Sequence, residues 1–230
     1  MQNNKNYSKA NTQNKSKSKK NKEENEITVI VVDDQFDFNN PEGALYVKGG
    51  ENIDDAIIDY ATKNNDRINK FIFTRDWHTK KDESFEKNGG EWPIHCVQNT
   101  PGAEVSKKLI DAIANLRIPY DIVNKGTVFD HEEYGAFEHC GTFHHLHPND
   151  PPSVKYCYFA NCESSSGCRI ITENLVVCGI AGDYCVKETI KNLLKHWRKF
   201  NISVLMNGVA SIDGGTAINE LIAENNLKTV

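Results

Sequence analysis

The sequence predicts an α/β protein of three layers, in which helices cover both faces of a mostly parallel, doubly wound sheet. Two observations lead to this prediction. Short, continuous apolar runs rich in β-branched residues recur along the chain, as in strands that are buried on both faces. Amphipathic segments of helical periodicity lie between these runs, and such alternation is typical of parallel sheets.

Five apolar runs are predicted as strands, at 27–32, 71–74, 120–123, 175–178 and 202–206. Four segments with apolar residues at helical spacing are predicted as helices, at 52–62, 103–116, 183–200 and 216–224. The pattern contains no repeat and no sign of a second domain. We therefore expect residues 27–230 to form a single domain.

Residues 1–26 are predicted to be a disordered tail, because they are rich in Asn, Lys and Ser and nearly lack apolar side chains. Their lysine cluster at 17–22 leaves nuclear targeting or contact with a polyanion as the alternative to a solvated tail. Seven of the 27 basic residues precede the first acidic residue. The rest of the chain therefore contains 20 basic and 32 acidic residues. This excess of negative charge disfavours nucleic acid as a partner of the folded domain.

The sequence indicates neither a membrane span nor a secretory signal. No stretch approaches 18 consecutive apolar residues, and the amino terminus lacks an apolar core. Seven cysteines at irregular spacing favour reduced thiols over a disulfide framework. We therefore expect a cytoplasmic protein, with nuclear localisation through the lysine-rich tail as the alternative, and the sequence leaves open whether it forms homo-oligomers.

Residues 139–170 fit the alternating pattern poorly and are predicted to form a surface insertion. The segment is long for a connection and holds four of the seven cysteines together with several histidines. Its cysteines lack the paired spacing of a structural zinc site. A zinc-binding or thiol-redox module is therefore the less favoured interpretation.

Cys185 is the cysteine whose setting predicts a nucleophile. An apolar run and two glycines precede it, and an amphipathic stretch follows it, so it lies at a strand-to-helix turn. There, unpaired N–H groups and the helix dipole favour a thiolate. A nucleotide-binding turn is the alternative for residues 179–182, but the full G-x-G-x-x-G pattern is absent.

Two other candidate catalytic residues follow predicted strands. Asp33 follows the first strand and Lys125 the third. Because the carboxyl ends of parallel strands meet at one edge of the sheet, we expect both side chains near Cys185. An acid there can take the thiol proton and a cation can hold the thiolate. A single Asp at a strand end is more often a turn cap, so the hypothesis depends on all three residues converging.

Asp76, His78 and His95 form a candidate metal site. Residues two apart in an extended chain point the same way, so Asp76 and His78 can hold one cation while His95 returns from the following loop. Three protein ligands leave coordination positions open, which is typical of a catalytic metal. Zinc is the first expectation, with iron or manganese as alternatives.

These motifs are similar to those of the nicotinamidases, the pyrazinamidase/nicotinamidase type of the isochorismatase-like cysteine hydrolases. They occur in the family's order from Ile27 to the carboxyl terminus: Asp33-x-Gln35-x-Asp37-Phe38, Thr74-Arg75-Asp76-Trp77-His78, Trp92-Pro93-x-His95-Cys96-Val97-Gln98-Asn99-Thr100-Pro101-Gly102, Lys125-Gly126-Thr127 and Gly179-Ile180-Ala181-Gly182-Asp183-Tyr184-Cys185-Val186. Several long motifs in this order make the resemblance specific.

The resemblance implies an isochorismatase-like hydrolase fold and a metal-dependent amidohydrolase that converts nicotinamide and water to nicotinate and ammonia through a cysteine thioester, in NAD salvage. The alternative is a relative that acts on a different small amide or carbamoyl substrate, although such relatives generally lack the D-x-H…H set. The implied roles are a triad of Asp33, Lys125 and Cys185, metal ligands Asp76, His78 and His95, and ring contacts Phe38, Trp92 and Tyr134.

The resemblance also implies a cis peptide bond between Ile180 and Ala181, with the N–H groups of Ala181 and Cys185 forming an oxyanion hole. The chain departs from the family at several places, one of which is Tyr134-Gly135-Ala136-Phe137 where relatives have a Tyr-Ser-Gly/Ala-Phe motif. Relatives often have a further histidine in the loop that here contains Ser84, so a fourth protein ligand is left open. Gly182 replaces a common Thr and is expected to loosen the nucleophile turn. The 139–170 segment has no counterpart in the family, and activity on pyrazinamide is left open.

Overall fold

The computed structural model of the protein describes residues 25–127, 133–137, 170, 172–196 and 200–230. Within these residues the strands are β1 (Ile27–Val32), β2 (Ile68–Asp76), β3 (Tyr120–Lys125), β4 (Asn174–Ile180), β5 (Asn201–Ala210) and β6 (Lys228–Thr229). The helices are α1 (Phe36–Asn39), α2 (Ile53–Lys63), α3 (Lys107–Asn115), α4 (Cys185–His196) and α5 (Thr216–Asn225). Short 3₁₀ turns lie at Gly50–Asn52, Glu86–Asn88 and Pro101–Ala103.

The strands form one parallel sheet in the order β3-β2-β1-β4-β5-β6. All five predicted strands are confirmed, and four of them extend beyond the apolar run. β2 continues to Asp76 because Arg75 and Asp76 pair with Asn124 and Lys125 of β3, and ladder pairing involves the backbone rather than the side chains. The two-residue strand β6 was not predicted, since it contains no apolar run.

The four predicted helices are also confirmed, with shifted ends. α3 begins at Lys107 rather than at 103 because the Ser106 hydroxyl caps it, accepting a hydrogen bond from the Leu109 N–H at 3.2 Å. α4 begins at Cys185, two residues later than predicted. The nucleophile candidate is therefore the first residue of its helix.

Two apolar layers separate the sheet from its helices. Val29 and Val31 of β1 face the side on which α2 and α3 pack, whereas Ile30 and Val32 face α4 and α5. This alternation follows from the two-residue period of a strand. Because both faces of the sheet are covered, the prediction of a three-layer, doubly wound α/β fold is confirmed.

The topology selects one edge of the sheet for function. The chain runs outward from β1 through β2 to β3 and then returns to β4 on the other side of β1. Ligands of doubly wound sheets bind at the carboxyl ends of the strands, where the order reverses. In this protein that point lies between β1 and β4.

Several predictions concern residues outside the described part of the chain. These are the disordered tail, apart from its last two residues, and the surface insertion, apart from Ile170. Both stay predictions. Among the described residues, no helix is long and apolar enough to cross a membrane.

Candidate active site

Four functional side chains meet at the carboxyl edge of the sheet. Asp33 follows β1, Asp76 ends β2, Lys125 ends β3, and Cys185 begins α4 after β4. Ligand atoms of Asp33, Asp76 and Cys185 all lie within 4.8 Å of one another. The structure thus brings together the residues that the positions of the strand ends predicted.

Lys125 lies at the centre of this cluster. Its Nζ is 2.8 Å from Asp33 Oδ2 and 2.5 Å from Asp76 Oδ1, and it donates to Cys185 Sγ at 3.6 Å. Burial favours the neutral amine, but the carboxylates of Asp33 and Asp76 outweigh it and raise the pKa of Lys125 well above its usual value. The lysine is therefore a buried cation that contacts both acids and the thiol.

Asp33 has the electrostatic properties of a general base. Burial raises the pKa of its carboxyl group, the charge of Lys125 opposes this effect, and the result is a pKa of about 6. A base is most effective when its pKa lies near the working pH. Asp33 is therefore ionised at neutral pH and still able to hold a proton.

Local contacts orient the Asp33 carboxylate. The Thr74 hydroxyl donates to Asp33 Oδ1 at 2.7 Å, and the Asp33 N–H donates to the Thr74 carbonyl at 3.1 Å. The φ angle of Asp33 is +48°, in the left-handed region that non-glycine residues seldom adopt. This conformation turns the chain sharply after β1, and the Asp33 side chain contacts Lys125.

The buried environment of Cys185 favours the protonated thiol over the thiolate. Burial raises the pKa of Cys185 well above its usual value, the charge of Lys125 lowers it, and the charges of Asp33 and Asp76 raise it. Burial has the largest effect, so the thiol needs a base to take its proton, which is the role expected of Asp33. A carboxylate oxygen of Asp33 lies within 4.8 Å of the thiol sulfur, so Asp33 is the candidate group to take its proton.

Two backbone donors lie beside the thiol. The Ile180–Ala181 peptide bond is cis, as the family resemblance implies. Among the described residues, neither the Ala181 N–H nor the Cys185 N–H donates to another protein atom. These two N–H groups are therefore available for a negatively charged oxygen.

Gly182 is enclosed by neighbouring side chains, which differs from the loosening expected from the sequence. A Cβ atom at this position would lie 2.1 Å from Ser211 Oγ and 2.8 Å from Val209 Cγ1. Asp183 also accepts hydrogen bonds from the N–H groups of Ile212 and Asp213, at 3.0 and 3.1 Å. The loop after β5 thus fills the space that a side chain at residue 182 would occupy.

Gly182→Ala is expected to destabilise the protein by about 1–3 kcal/mol, because the added methyl group overpacks this contact. Thermal unfolding of purified protein measures the effect. Adding Ser211→Ala removes the nearest atom and is expected to restore most of the lost stability. A melting temperature of Gly182→Ala equal to that of the unmodified protein would contradict this account of the turn.

Asp76, His78 and His95 lie together as predicted for a metal site. One ligand atom from each side chain lies within 4.8 Å of the other two, and all three residues are buried. His78 Nδ1 contacts Asp82 and His95 Nδ1 contacts the Pro93 carbonyl, at 2.9 and 2.8 Å. Because both partners are acceptors, the neutral ring of each histidine carries its proton on Nδ1, and its Nε2 lone pair is then left to bind a cation. This donor set fits a divalent metal.

The two histidines differ in their electrostatics. Burial disfavours charge on His78, but Asp76 and Asp82 outweigh burial and raise its pKa to about 9. Burial lowers the pKa of His95. A metal at this site therefore competes with a proton for His78 and meets His95 already neutral.

Ser84, which the sequence left open as a fourth ligand, has a different partner. Its hydroxyl donates to Asp82 Oδ1 at 2.7 Å, and its backbone N–H donates to the same oxygen at 3.0 Å. Asp82 was not predicted as a site residue from the sequence. Its position four residues after His78 could have indicated a partner for that ring. Ser84 supports Asp82, which in turn contacts the candidate ligand His78.

The candidate site opens into a pocket lined mainly by apolar and aromatic side chains. The predicted ring contacts Phe38, Trp92 and Tyr134 all line it. Sequence reasoning did not single out the other apolar and aromatic lining residues, which are Leu45, Val47, Tyr184 and Ile212. Tyr184 belongs to a motif identified in the sequence, but the remaining three come from loops without a distinctive pattern.

One side of the pocket is an aromatic wall. Trp92 and Tyr184 contact edge to face with ring centroids 5.2 Å apart, and Tyr134 lies 5.6 Å from Tyr184. The Trp92 indole donates to the Tyr134 hydroxyl at 2.9 Å. Thr189 and Asn192 of α4 hold the Tyr134 segment through its backbone. The helix that begins with Cys185 thus also positions the wall.

A second pair of acids lies behind Asp33. Burial and the negative charge of the nearby Asp54 raise the pKa of Asp34 well above its usual value. Asn39 donates to Asp34 at 2.7 Å and Ser106 donates to Asp54 at 2.7 Å. Neither acid lines the pocket of the candidate site. The pair ties the end of β1 to the start of α2.

Several known proteins are similar to this chain over most of their length. No family model matches the chain. The nicotinamidase of Saccharomyces cerevisiae is 31% identical over 186 residues, which cover 70% of this chain and 78% of that protein. PnC1 from L. infantum in complex with nicotinate is 26% identical, with a TM-score of 0.66, and the match covers 90% of this chain and 93% of that one. The pyrazinamidase of Pyrococcus horikoshii in complex with zinc is 29% identical, with a TM-score of 0.62, and the match covers 89% of this chain and 98% of that one.

Proposed function

Because this chain belongs to the nicotinamidase family of isochorismatase-like hydrolases, we propose that it converts nicotinamide and water to nicotinate and ammonia through a thioester on Cys185. One observation carries the proposal: the buried cluster of Asp33, Lys125 and Cys185 lies beside Asp76, His78 and His95, next to an aromatic pocket. Nucleophile, base and metal ligands are thereby within reach of one small molecule.

The pocket suits a flat aromatic amide. Phe38, Trp92 and Tyr134 offer ring faces and edges, and Cys185 and Ala181 also line the pocket. The L. infantum relative was solved with nicotinate, the product that this reaction would release. We assign the ring of nicotinamide to the aromatic side and its carboxamide to the thiol.

Asp76, His78 and His95 are the residues that would hold a divalent metal. The zinc complex of the P. horikoshii relative supports zinc as the first choice, with iron or manganese as alternatives that suit the same ligands. When bound, the ion would supply a Lewis acid for a nitrogen or oxygen atom of the substrate. The aromatic side chains and these three residues would then hold the substrate with its carboxamide carbon near Cys185 Sγ.

In the first half of the reaction, Asp33 accepts the thiol proton of Cys185 while Lys125 stabilises the thiolate. The sulfur attacks the amide carbon and forms a tetrahedral intermediate, whose oxyanion accepts hydrogen bonds from the N–H groups of Ala181 and Cys185. Asp33 returns the proton to the leaving nitrogen, the C–N bond breaks, and ammonia departs. The acyl group remains on Cys185 as a thioester.

In the second half, a water molecule takes the position of ammonia. Asp33 removes its proton, the hydroxide attacks the thioester carbon, and the same two N–H groups hold the oxyanion. The C–S bond then breaks, Cys185 recovers its proton, and nicotinate leaves. Such a reaction would belong to NAD salvage, and we propose the cytoplasm as its location.

Ammonia release from nicotinamide by the purified full-length protein tests the function. We expect steady turnover, loss of most activity after removal of metal by a chelator, and recovery on adding zinc, iron or manganese. Circular dichroism of the chelated protein serves as the control that the fold is retained. If the metal-loaded protein released no ammonia from nicotinamide, the alternative of a different small amide or carbamoyl substrate would replace this proposal.

A further inference from the structure

Asp82 is a buried acid that takes no part in the proposed reaction. Its side chain is 2% exposed, and its Oδ2 lies 2.9 Å from His78 Nδ1. We propose that Asp82 is a positioning residue that fixes His78 as a metal ligand, and that Ser84 in turn fixes Asp82. This inference rests on the metal site of the proposed function and adds the side chains that prepare it.

The contact with Asp82 determines which nitrogen of His78 is free. A carboxylate can only accept a hydrogen bond, so the neutral His78 ring carries its proton on Nδ1. Its lone pair is then on Nε2, which lies 3.7 Å from Asp76 Oδ1, on the side of the other candidate ligands. A carboxylate behind a histidine ligand also makes the ligand more basic and restrains the rotation of its ring.

Asp82 is itself held at its second oxygen. Oδ1 accepts hydrogen bonds from the Ser84 hydroxyl at 2.7 Å and from the Ser84 N–H at 3.0 Å. The Asn88 side chain donates to the Asp82 carbonyl at 2.7 Å. Both carboxylate oxygens therefore have fixed partners, and the Asp82 side chain cannot turn away from His78 without breaking the Ser84 contacts.

The same loop contacts both histidines and the substrate pocket. The buried ring of Phe85 meets His78 and His95 edge to face, with centroids 5.5 and 5.4 Å apart. The backbone N–H of Trp92 donates to the Ser84 carbonyl at 3.0 Å, and the Trp92 side chain lines the pocket. The loop from Asp82 to Trp92 is thus one unit that sets the metal ligands and the aromatic wall.

Asp82→Asn tests the role of the carboxylate. The single amide oxygen of Asn cannot serve both His78 and Ser84, so either the proton position of His78 or the Ser84 contact is lost. We expect zinc affinity, measured by chelator competition without nicotinamide, to fall about 10- to 100-fold. Glu83→Gln is the matched control, since it removes a charge from the adjacent, exposed position. It is expected to bind zinc like the unmodified protein.

Nuclear magnetic resonance of ¹⁵N-histidine reports the protonated nitrogen of His78 directly. In the zinc-bound unmodified protein we expect the proton on Nδ1. If Asp82→Asn does not fold, Ser84→Ala tests the inference in its place. We expect its zinc affinity to be about two- to tenfold lower than that of the unmodified protein. Unchanged zinc affinity in the folded variant, or a His78 proton on Nε2, overturns the inference. Failure of the unmodified protein to bind zinc would instead refute the metal site itself.

Discussion

Replacement of Cys185 by alanine is expected to lower kcat for nicotinamide hydrolysis by about 10⁶-fold, the order of loss found when a covalent nucleophile is removed. The thiol sulfur accepts a hydrogen bond from Lys125 at 3.6 Å and lies within 4.8 Å of a carboxylate oxygen of Asp33. Without it, neither water nor another side chain can form the thioester. Ammonia release under saturating nicotinamide measures the loss.

Cys178→Ala is the matched control for Cys185→Ala. Cys178 is a second buried free cysteine, located in β4 on the face that packs against α2 and α3. Its removal is expected to lower stability but to preserve the turnover of folded molecules. Residual activity of Cys185→Ala within a factor of ten of the unmodified enzyme would exclude nucleophilic catalysis by this residue.

Asp33→Asn is expected to reduce kcat by about 10²–10⁴-fold, the usual contribution of a positioned general base. An amide cannot accept the thiol proton, and the pKa of Cys185 is already raised by burial. In the unmodified enzyme Asp33 must be ionised to act, and its pKa is about 6. The value of kcat/KM should therefore fall as the pH drops below about 6, by roughly tenfold per pH unit once Asp33 is mostly protonated.

Asp34→Asn is the control for Asp33→Asn. It shows whether a change in the low-pH decline of kcat/KM belongs to Asp33 or follows the loss of any buried acid. Asp34 is adjacent to Asp33 and fully buried, but its side chain accepts a hydrogen bond from Asn39, whereas that of Asp33 contacts Lys125. We expect this variant to keep the decline in kcat/KM at low pH, whereas the residual activity of Asp33→Asn should lack it. An unchanged decline in Asp33→Asn would assign the base to another group.

Much of the fold could be predicted because its signals are local. Buried parallel strands appear as apolar runs, and the run at 27–32 matches β1 residue for residue. Helix ends were less predictable, since the start of α3 depends on the single side-chain cap of Ser106. β6 could not be predicted, because a two-residue strand is defined by its partner β5 rather than by its own pattern.

The site was predictable where its residues follow strands and unpredictable where they come from loops. Asp33, Lys125 and Cys185 have positions that the parallel topology brings together. Leu45, Val47 and Ile212 enter the pocket from loops whose paths depend on distant contacts. No periodicity in the sequence marks such residues.

The sequence by itself determined the alternation of strands and helices, the chemical groups at the strand ends and the family to which the chain belongs. These properties follow from side-chain periodicity and from motifs, which are present in the unfolded chain. Only the tertiary structure decided the protonation of Cys185, the partner of Ser84 and the packing around Gly182. Each of these depends on burial and on contacts between residues that folding brings together. A pKa responds to the surrounding dielectric and charges, and the space around a residue is set by all the elements that pack against it.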